Sequence, residues 1–387
     1  MIIQSKKVWI AGQFIPAQID VENDKIVGIY DYGEKTIDKD YGENRIVPGF
    51  IDIHCHGAYS FDTNDAQPEG LLNWVKHIPG EGVTALYPTT ITQSKEVLSE
   101  ACENVANVME KGDYEGAEIM GIHFEGPFLD MQYKGAQPPE HIRKPNVDEF
   151  KEFQKAAKGH IKIMTMATEH DDDFKLTEYA SQNGVMVSMG HSGATYEQAV
   201  MGVAHGAKSM THVFNGMSPF HHRNPGLVGA AMRMRDVYGE CICDGNHSNL
   251  NAVNDLFMAK GRDHMIMITD ALMAKGCPIG SHHMFGGHEI EIYPDGSAHL
   301  IEGVKSLAGS TLHVNHGLKL LVEEALIPFD YALNSCTLNP ARALGIDDRK
   351  GKICTGHDAD LVVLDPNYDV VDTYCRGKLH VKDGDAK

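Results

Sequence analysis

Two histidines spaced two apart, His54 and His56, close the run Phe50-Ile-Asp-Ile-His-Cys-His56. Side chains alternate across a strand, so both imidazoles point the same way. A pair of imidazoles at a strand end can chelate one divalent metal, and imidazole suits Zn, Fe and Mn-type sites. The pattern is short, and taken alone it equally describes two ordinary histidines at a strand end. Four further residues add weight: Glu125, His191, His212 and Asp270 each end an apolar run. Small residues follow, as in Glu125-Gly126, His191-Ser192-Gly193 and Asp270-Ala271. His123, two before Glu125, shares its face and reads either as a ligand or as a hydrogen-bonding core histidine. Asp270 also has a plain reading, as a helix N-cap after its strand.

To bring these residues together the chain must place several strand ends on one face. Eight candidate strands are legible: Phe50–His56, Val83–Thr89, Glu118–Glu125, Ile161–Ala167, Val185–His191, Ser209–His212, Glu240–Cys243 and Met265–Asp270. Helical patterns separate most of them, including Leu71–His77, Lys95–Met109, Val147–Ala157 and Thr195–Ala204. Such alternation means a parallel sheet with right-handed crossovers. Eight units fit a (β/α)8 barrel, whose active site lies at the C-terminal strand ends. Six candidate ligands then fall on five strand ends of one face. No GxGxxG follows the first strand, which argues against a dinucleotide fold.

Both chain ends have a different texture. Val21–Ile26 carries a hairpin-like Asn23-Asp24 turn, and Lys350–Leu364 reads as turn, strand, tight turn, strand. The expectation is one small β domain built from residues 1–47 and 350–387, with the barrel spanning 48–349. Lys275–Gly303, rich in Gly and His, reads as an irregular insertion or hairpin after the eighth strand.

A chain of 387 residues can bury a large core. Its net charge of −20 disfavours nucleic acid and anionic membrane as partners. No run approaches a membrane span, and the N-terminus lacks a signal-peptide layout. Eight cysteines without a framework fit a reducing cytoplasm.

The motifs Val47-Pro-Gly-Phe-Ile-Asp-x-His-x-His56, Thr211-His212, Thr269-Asp-Ala271 and Gly356-x-Asp-Ala-Asp-Leu-Val362 resemble the amidohydrolase superfamily. Within it, His123-Phe-Glu-Gly-Pro127, Gly190-His-Ser-Gly-Ala-Thr195, Thr211-His-x-Phe-Asn215 and Asn224-Pro-Gly-Leu-Val-Gly229 resemble the N-acetylglucosamine-6-phosphate deacetylase family. The resemblance runs through nearly the whole chain. It implies a distorted (β/α)8 barrel with a small β-sandwich made by both termini, in a homodimer. It also implies Glu125, His191 and His212 as principal metal ligands, Asp270 as metal ligand and catalytic acid/base, and His54 and His56 as a second-metal pair that some members lack. One or two divalent ions (Zn, Fe or Mn) follow. Glu125 stands where many relatives carry a bridging carboxylated lysine. Asn215, Arg223 and His247 resemble sugar-phosphate contacts, with Arg223 serving its own or the neighbouring subunit's site. Gly216 is a further candidate substrate contact, and the run Leu307-Ala-Gly-Ser310 offers small residues and backbone amides near a ligand. Gln137 departs from the pattern, since some members have a histidine there to orient the substrate carbonyl.

The implied chemistry is amide hydrolysis of an amino-sugar phosphate to acetate and glucosamine 6-phosphate. A metal lowers the pKa of its water toward about 7 and acts as Lewis acid, while Asp270 moves the proton to the leaving nitrogen. Other readings are a deaminase or cyclic-amide hydrolase, or a metal-bearing binding protein without turnover. Asn215, Arg223 and His247 argue against the former, and Asp270 argues against the latter.

Overall fold

Pro48 and Phe50 belong to different sheets, and Gly49 makes the switch between them. A Cβ at Gly49 would lie 2.1 Å from Thr84 Oγ1, so no larger residue fits this crossing. The structure, a computed structural model, describes residues 1–301 and 307–380.

On the N-terminal side of Gly49, Ile2–Ile10 and Gln13–Glu22 form an antiparallel pair, and Gln13–Glu22 turns at Asn23-Asp24 into Lys25–Asp31. Asn23 sits at φ +54°, a left-handed value that asparagine tolerates. Arg45–Pro48 joins Ile2–Ile10 in parallel and Leu361–Leu364 antiparallel. Val370–Cys375 and Lys378–His380 extend the sheet, so both ends of the chain share it. Its buried side chains include Ile3, Val8, Ile19, Ile46, Leu361 and Val363. The strand expected between Lys350 and the tight turn is absent. That segment instead docks by an isolated bridge, Lys25 to Asp358, while the Lys350 ammonium reaches Glu118, Asp358 and Asp360. Residues 381–387 of the expected β domain lie outside the described residues.

Beyond Gly49 come eight parallel strands: β1 (Phe50–Cys55), β2 (Val83–Thr90), β3 (Ile122–Glu125), β4 (Ile161–Met166), β5 (Met186–Met189), β6 (Ser209–Met210), β7 (Tyr238–Ile242) and β8 (Met265–Ile268). Neighbours in sequence are neighbours in the sheet. The circle closes where the Asp270 amide donates to the His54 carbonyl at 2.8 Å and the His56 amide to the Ala271 carbonyl at 2.7 Å. This is the expected distorted (β/α)8 barrel. Eight helices follow the strands in turn: α1 (Pro68–His77), α2 (Lys95–Lys111), α3 (Val147–Ala156), α4 (Lys175–Gln182), α5 (Tyr196–Ala204), α6 (Gly226–Arg233), α7 (Leu250–Lys260) and α8 (Val314–Glu323). Helix α2 shows the local logic. The Ser94 side chain caps the Val97 amide, Leu98, Cys102 and Val105 bury one stripe, and Gly112 at φ +63° ends the helix. Burying Leu98 stabilises by about 1.5–3 kcal/mol, and Ser94→Ala would cost about 1 kcal/mol.

The barrel interior is divided. Ile51, Ile53, Tyr87, Ile163, Ile242 and Ile266 fill its lower part, which leaves the C-terminal strand ends for polar side chains. Several strands are shorter than expected. The expected Glu118–Glu125 strand breaks after Ile119 and resumes at Ile122. β5, β6 and β8 stop before His191, His212 and Asp270 because these three take left-handed φ values of +47°, +32° and +50°. Such a backbone cannot continue a ladder, and it costs on the order of 1–3 kcal/mol at each residue.

The insertion after β8 is more regular than expected. His282–Phe285, His288–Ile292 and Ala298–Leu300 form a three-stranded antiparallel sheet. Phe285, Ile290, Ile292 and Ala298 pack with Ile91 and Leu272 as a small separate core. Residues 302–303 of that expected segment lie outside the described residues. All eight cysteines are free thiols, and no described helix is long and apolar enough to cross a membrane.

Candidate active site

Glu125, the last residue of β3, sits between two groups of imidazoles. Its Oε1 lies 3.2 Å from His191 Nε2, 3.3 Å from His212 Nε2 and 3.5 Å from His54 Nε2. Its Oε2 lies 3.3 Å from His56 Nε2. Asp270 Oδ1 faces the same pair from just beyond β8, 3.2 Å from His56 and 3.6 Å from His54. All six candidate ligands named from the sequence thus converge at the C-terminal mouth of the barrel, every one of them buried or nearly so.

Each imidazole is held from behind. Nδ1 of His191 donates to the Tyr133 carbonyl at 2.8 Å, that of His212 to the Asn215 carbonyl at 3.1 Å, and that of His56 to the Thr89 carbonyl at 3.2 Å. His54 Nδ1 donates to Glu240 Oε2 at 3.1 Å. Carbonyls and carboxylates only accept, so the hydrogen of each neutral ring sits on Nδ1 and the Nε2 lone pair faces inward. Gly216 allows the His191 arrangement, since a Cβ there would lie 2.9 Å from His191 Nδ1 and 3.2 Å from the Tyr133 carbonyl.

Lone pairs facing one another require a cation. His191 Nε2 and His212 Nε2 lie only 3.1 Å apart and share the carboxylate oxygen of Glu125. Two ligand atoms bound to one metal at about 2.0–2.1 Å with tetrahedral angles stand about 3.3–3.4 Å apart, so this triangle fits a divalent ion. The second group is His54, His56 and Asp270. There, the fully buried His54 Nε2 has no hydrogen-bond partner among the described residues. Glu125 touches both groups and can bridge them.

The electrostatics show the same demand. Burial disfavours charge on His56, but hydrogen bonds to Asp270 and Glu125 reverse this and lift it to about 9. Burial would raise Asp270, yet the imidazoles around it hold it down to about 2. Glu125 is likewise held far below the usual carboxylate range despite its burial. Where no metal is present, these carboxylates draw protons onto His54 and His56; a divalent ion would supply the same positive charge. His123 is no part of this cluster. Its two nitrogens bond to the Ile53 carbonyl at 2.8 Å and Thr165 Oγ1 at 2.7 Å, and burial keeps its pKa low. It is the hydrogen-bonding core histidine of the two alternatives.

A cavity of about 270 Å³ opens above the cluster. Of the expected substrate contacts, Gln137, Asn215, Gly216, His247 and Leu307 line it. Asn215 Nδ2 is buried without a partner among the described residues. His247 bonds Asp244 Oδ2 at 2.7 Å; burial opposes its charge, but Asp244 overrides this and raises its pKa. The Gln137 side chain is locked at both ends: its Oε1 accepts from the Thr92 amide at 2.9 Å and its Nε2 donates to Glu125 Oε2 at 2.7 Å. In this chain Gln137 therefore orients a candidate ligand. Arg223 is not brought to the cavity of its own chain. It stands exposed in the loop before α6, with its guanidinium 2.9 Å from His222 Nε2.

Two contributors escaped the sequence reading. Glu240 is a lone acid in the otherwise uncharged strand Tyr238-Gly-Glu-Cys-Ile242, and that isolation was the available signal. Phe285 comes from the insertion and meets His56 edge-on at 5.5 Å, which no local pattern announces.

Residues 45–380 match the family model described as the amidohydrolase family. The chain is 40% identical over 339 residues to the N-acetylglucosamine-6-phosphate deacetylase of Bacillus subtilis (strain 168), covering 87% of this chain and 85% of the relative. It is 32% identical to the N-acetylgalactosamine-6-phosphate deacetylase of Escherichia coli O157:H7, covering 86% and 87%. Among solved structures, a variant of the Mycobacterium smegmatis N-acetyl-D-glucosamine-6-phosphate deacetylase, in complex with N-acetyl-D-glucosamine-6-phosphate, superposes with a TM-score of 0.92 at 28% identity. That match spans 98% of this chain and 99% of the other. From the convergent strand ends and these likenesses together, the chain belongs to the amidohydrolase family and, within it, to the branch of the N-acetylglucosamine-6-phosphate deacetylases.

Proposed function

We propose that this protein hydrolyses the N-acetyl amide of N-acetylglucosamine 6-phosphate, releasing acetate and glucosamine 6-phosphate, in a metal-dependent reaction. The observation that carries the reading is Glu125 held between the His191–His212 pair and the His54–His56–Asp270 group at the floor of one small cavity. Glu125, His191 and His212 would hold one divalent ion; His54, His56 and Asp270, with Glu125 as bridge, would hold a second. Such an ion, when bound, supplies Lewis-acid polarisation and an acidified water.

The chain's own residues supply the rest. Asp270 takes the proton from the attacking water at its carboxylate and returns it to the departing nitrogen. The carboxylate is held ionised and so can accept in the first step, and once protonated it is acidic enough to pass the proton on to the more basic amine. Gln137 keeps Glu125 in register. Asn215 Nδ2 is free to donate to the sugar, and the His247 imidazolium faces the phosphate. In a homodimer, the exposed Arg223 would add a second cation to the neighbouring subunit's cavity. Residues 1–47 with 350–387 would act as one β domain beside the 48–349 barrel, and the cytoplasm is the compartment that fits free thiols and a small phosphorylated substrate.

The test is Asp270→Asn, which keeps shape and removes the proton acceptor. kcat for acetate release should fall by about 10²–10⁴, the scale of general acid–base catalysis, while substrate still binds. Near-wild-type kcat would remove Asp270 from the mechanism.

A further inference from the structure

The opposite face of the barrel carries a second cavity, of about 370 Å³, ringed by cations in an otherwise strongly acidic protein. Lys162 enters it from the start of β4, Lys208 from the residue before β6, and Arg342 from the short helix Leu338–Ala343. Leu344 supplies apolar wall. The Lys208 backbone bonds Val187 and Tyr238, but its ammonium has no hydrogen bond or ion pair among the described residues. Among the described residues, Lys162 Nζ bonds only the Gly159 carbonyl, at 3.0 Å. Arg342 shares the single carboxylate of Asp263 with Arg262, at 3.2 Å each. The three cations are therefore only partly neutralised.

Cations on a rim are common and by themselves carry nothing. What sets this cavity apart is Tyr87. Its ring rises from β2 into the lower barrel core and is 1% exposed, yet Tyr87 lines this cavity. The hydroxyl has no hydrogen-bond partner among the described residues. Because Tyr87 lines the cavity, its hydroxyl is free to donate into it. Burial pushes its ionisation upward, so it remains a hydrogen donor. A donor at the base and three cations at the rim are complementary to an oxyanion with several acceptor atoms.

We propose that this cavity is a second ligand site, taking a phosphoryl group on Tyr87, Lys162, Lys208 and Arg342, either as free phosphate or as a small phosphate monoester. It stands at the N-terminal strand ends, apart from the metal cluster, and it rests on none of the roles assigned above. β4, β5 and β6 begin at staggered positions in the sheet register, and Leu344 and Ile346 line the cavity beside them.

Equilibrium dialysis of the full-length protein against labelled inorganic phosphate, at fixed ionic strength, tests the site. Phosphate can also enter the catalytic cavity, so His247→Asn is measured in parallel to weaken binding there. The expected result is one class of phosphate binding that survives His247→Asn and weakens at least about tenfold in Lys208→Glu/Arg342→Glu, since charge-assisted contacts carry most of such affinity. Both substituted side chains are exposed, so the fold tolerates them. Tyr87→Phe, which removes one oxygen atom, should weaken the same class about fivefold or more. Competition by glycerol phosphate identifies the source: tighter binding than inorganic phosphate marks a monoester site, and equal or weaker binding marks a site for free phosphate. Binding that is absent, or unchanged in both the double variant and Tyr87→Phe, or lost wholly with His247→Asn, would overturn the proposal.

Discussion

Glu240 offers the sharpest perturbation because it touches no substrate and lies behind the cluster. It is fully buried, and its Oε2 accepts the hydrogen of His54 Nδ1 at 3.1 Å while Oε1 has no partner among the described residues. The carboxylate fixes the His54 tautomer and makes Nε2 a better donor to a metal. Removing such a partner typically costs 10–100-fold in metal affinity, or about 1.4–2.8 kcal/mol. Glu240→Gln keeps the volume, leaves an oxygen able to accept from Nδ1, and removes the buried charge. The effect should be confined to the His54–His56–Asp270 group, since the Nδ1 atoms of His191 and His212 rest on backbone carbonyls. Titration against a chromophoric chelator should give wild-type protein two classes of bound metal. In Glu240→Gln the weaker class should loosen by about 10–100-fold while the other stays in place. The apoprotein's unfolding midpoint should change little, because the substituted side chain keeps an oxygen that accepts from His54 Nδ1. Wild-type affinity for both metals in the variant, or a large loss of apoprotein stability with metal binding intact, would refute this reasoning.

Three further outcomes are expected. Lys350 is 1% exposed and contacts Glu118, Asp358 and Asp360 at 2.8, 2.9 and 2.6 Å. Lys350→Met should therefore cost about 3–5 kcal/mol in urea unfolding by stranding buried carboxylates. Burial already raises the Asp360 pKa, so the deficit should shrink as pH falls and that carboxyl is protonated; a pH-independent deficit would contradict the ion-pair account. The raised pKa of His247 means its cation persists below that value and is lost as pH rises through it. KM for the phosphorylated substrate should accordingly climb at alkaline pH, whereas His247→Asn should show a high KM without that climb. Gln137→Leu removes the 2.7 Å bond to Glu125 and should lower metal affinity as well as kcat; an effect on KM alone would make Gln137 a substrate contact instead.

The cluster was legible because each member ends an apolar run, and a barrel gathers such ends on one face. His54, His56, Glu125, His191, His212 and Asp270 could all be named from that rule and the family motifs. Strand lengths were not legible, because the left-handed backbone at His191, His212 and Asp270 depends on tertiary packing rather than on local propensity. The groups that hold the imidazoles were hidden for another reason. The anchors at Tyr133, Thr89 and Asn215 are backbone carbonyls, which have no side-chain signature, and Glu240 looked like one residue of a strand. Arg223 shows the limit of motif transfer: its type suits a phosphate, but its chain position puts it on an exposed loop away from its own cavity. In Lys350–Leu364 the second expected strand forms at Leu361–Leu364, but the first was misread because buried Ile353 and neighbouring glycines mimic strand and turn, while the charges of Lys350, Asp358 and Asp360 decide the path.

The central claim is that a metal held by these side chains makes the protein a deacetylase of a phosphorylated amino sugar. The most direct measurement is acetate release from N-acetylglucosamine 6-phosphate by one preparation before chelation, after chelation, and after stepwise return of a divalent ion, with bound metal counted at each stage. The account predicts acetate equal to the glucosamine 6-phosphate formed, loss of activity in step with loss of metal, and recovery as metal returns. Full activity in protein stripped of metal, or no acetate from protein carrying metal, would contradict it.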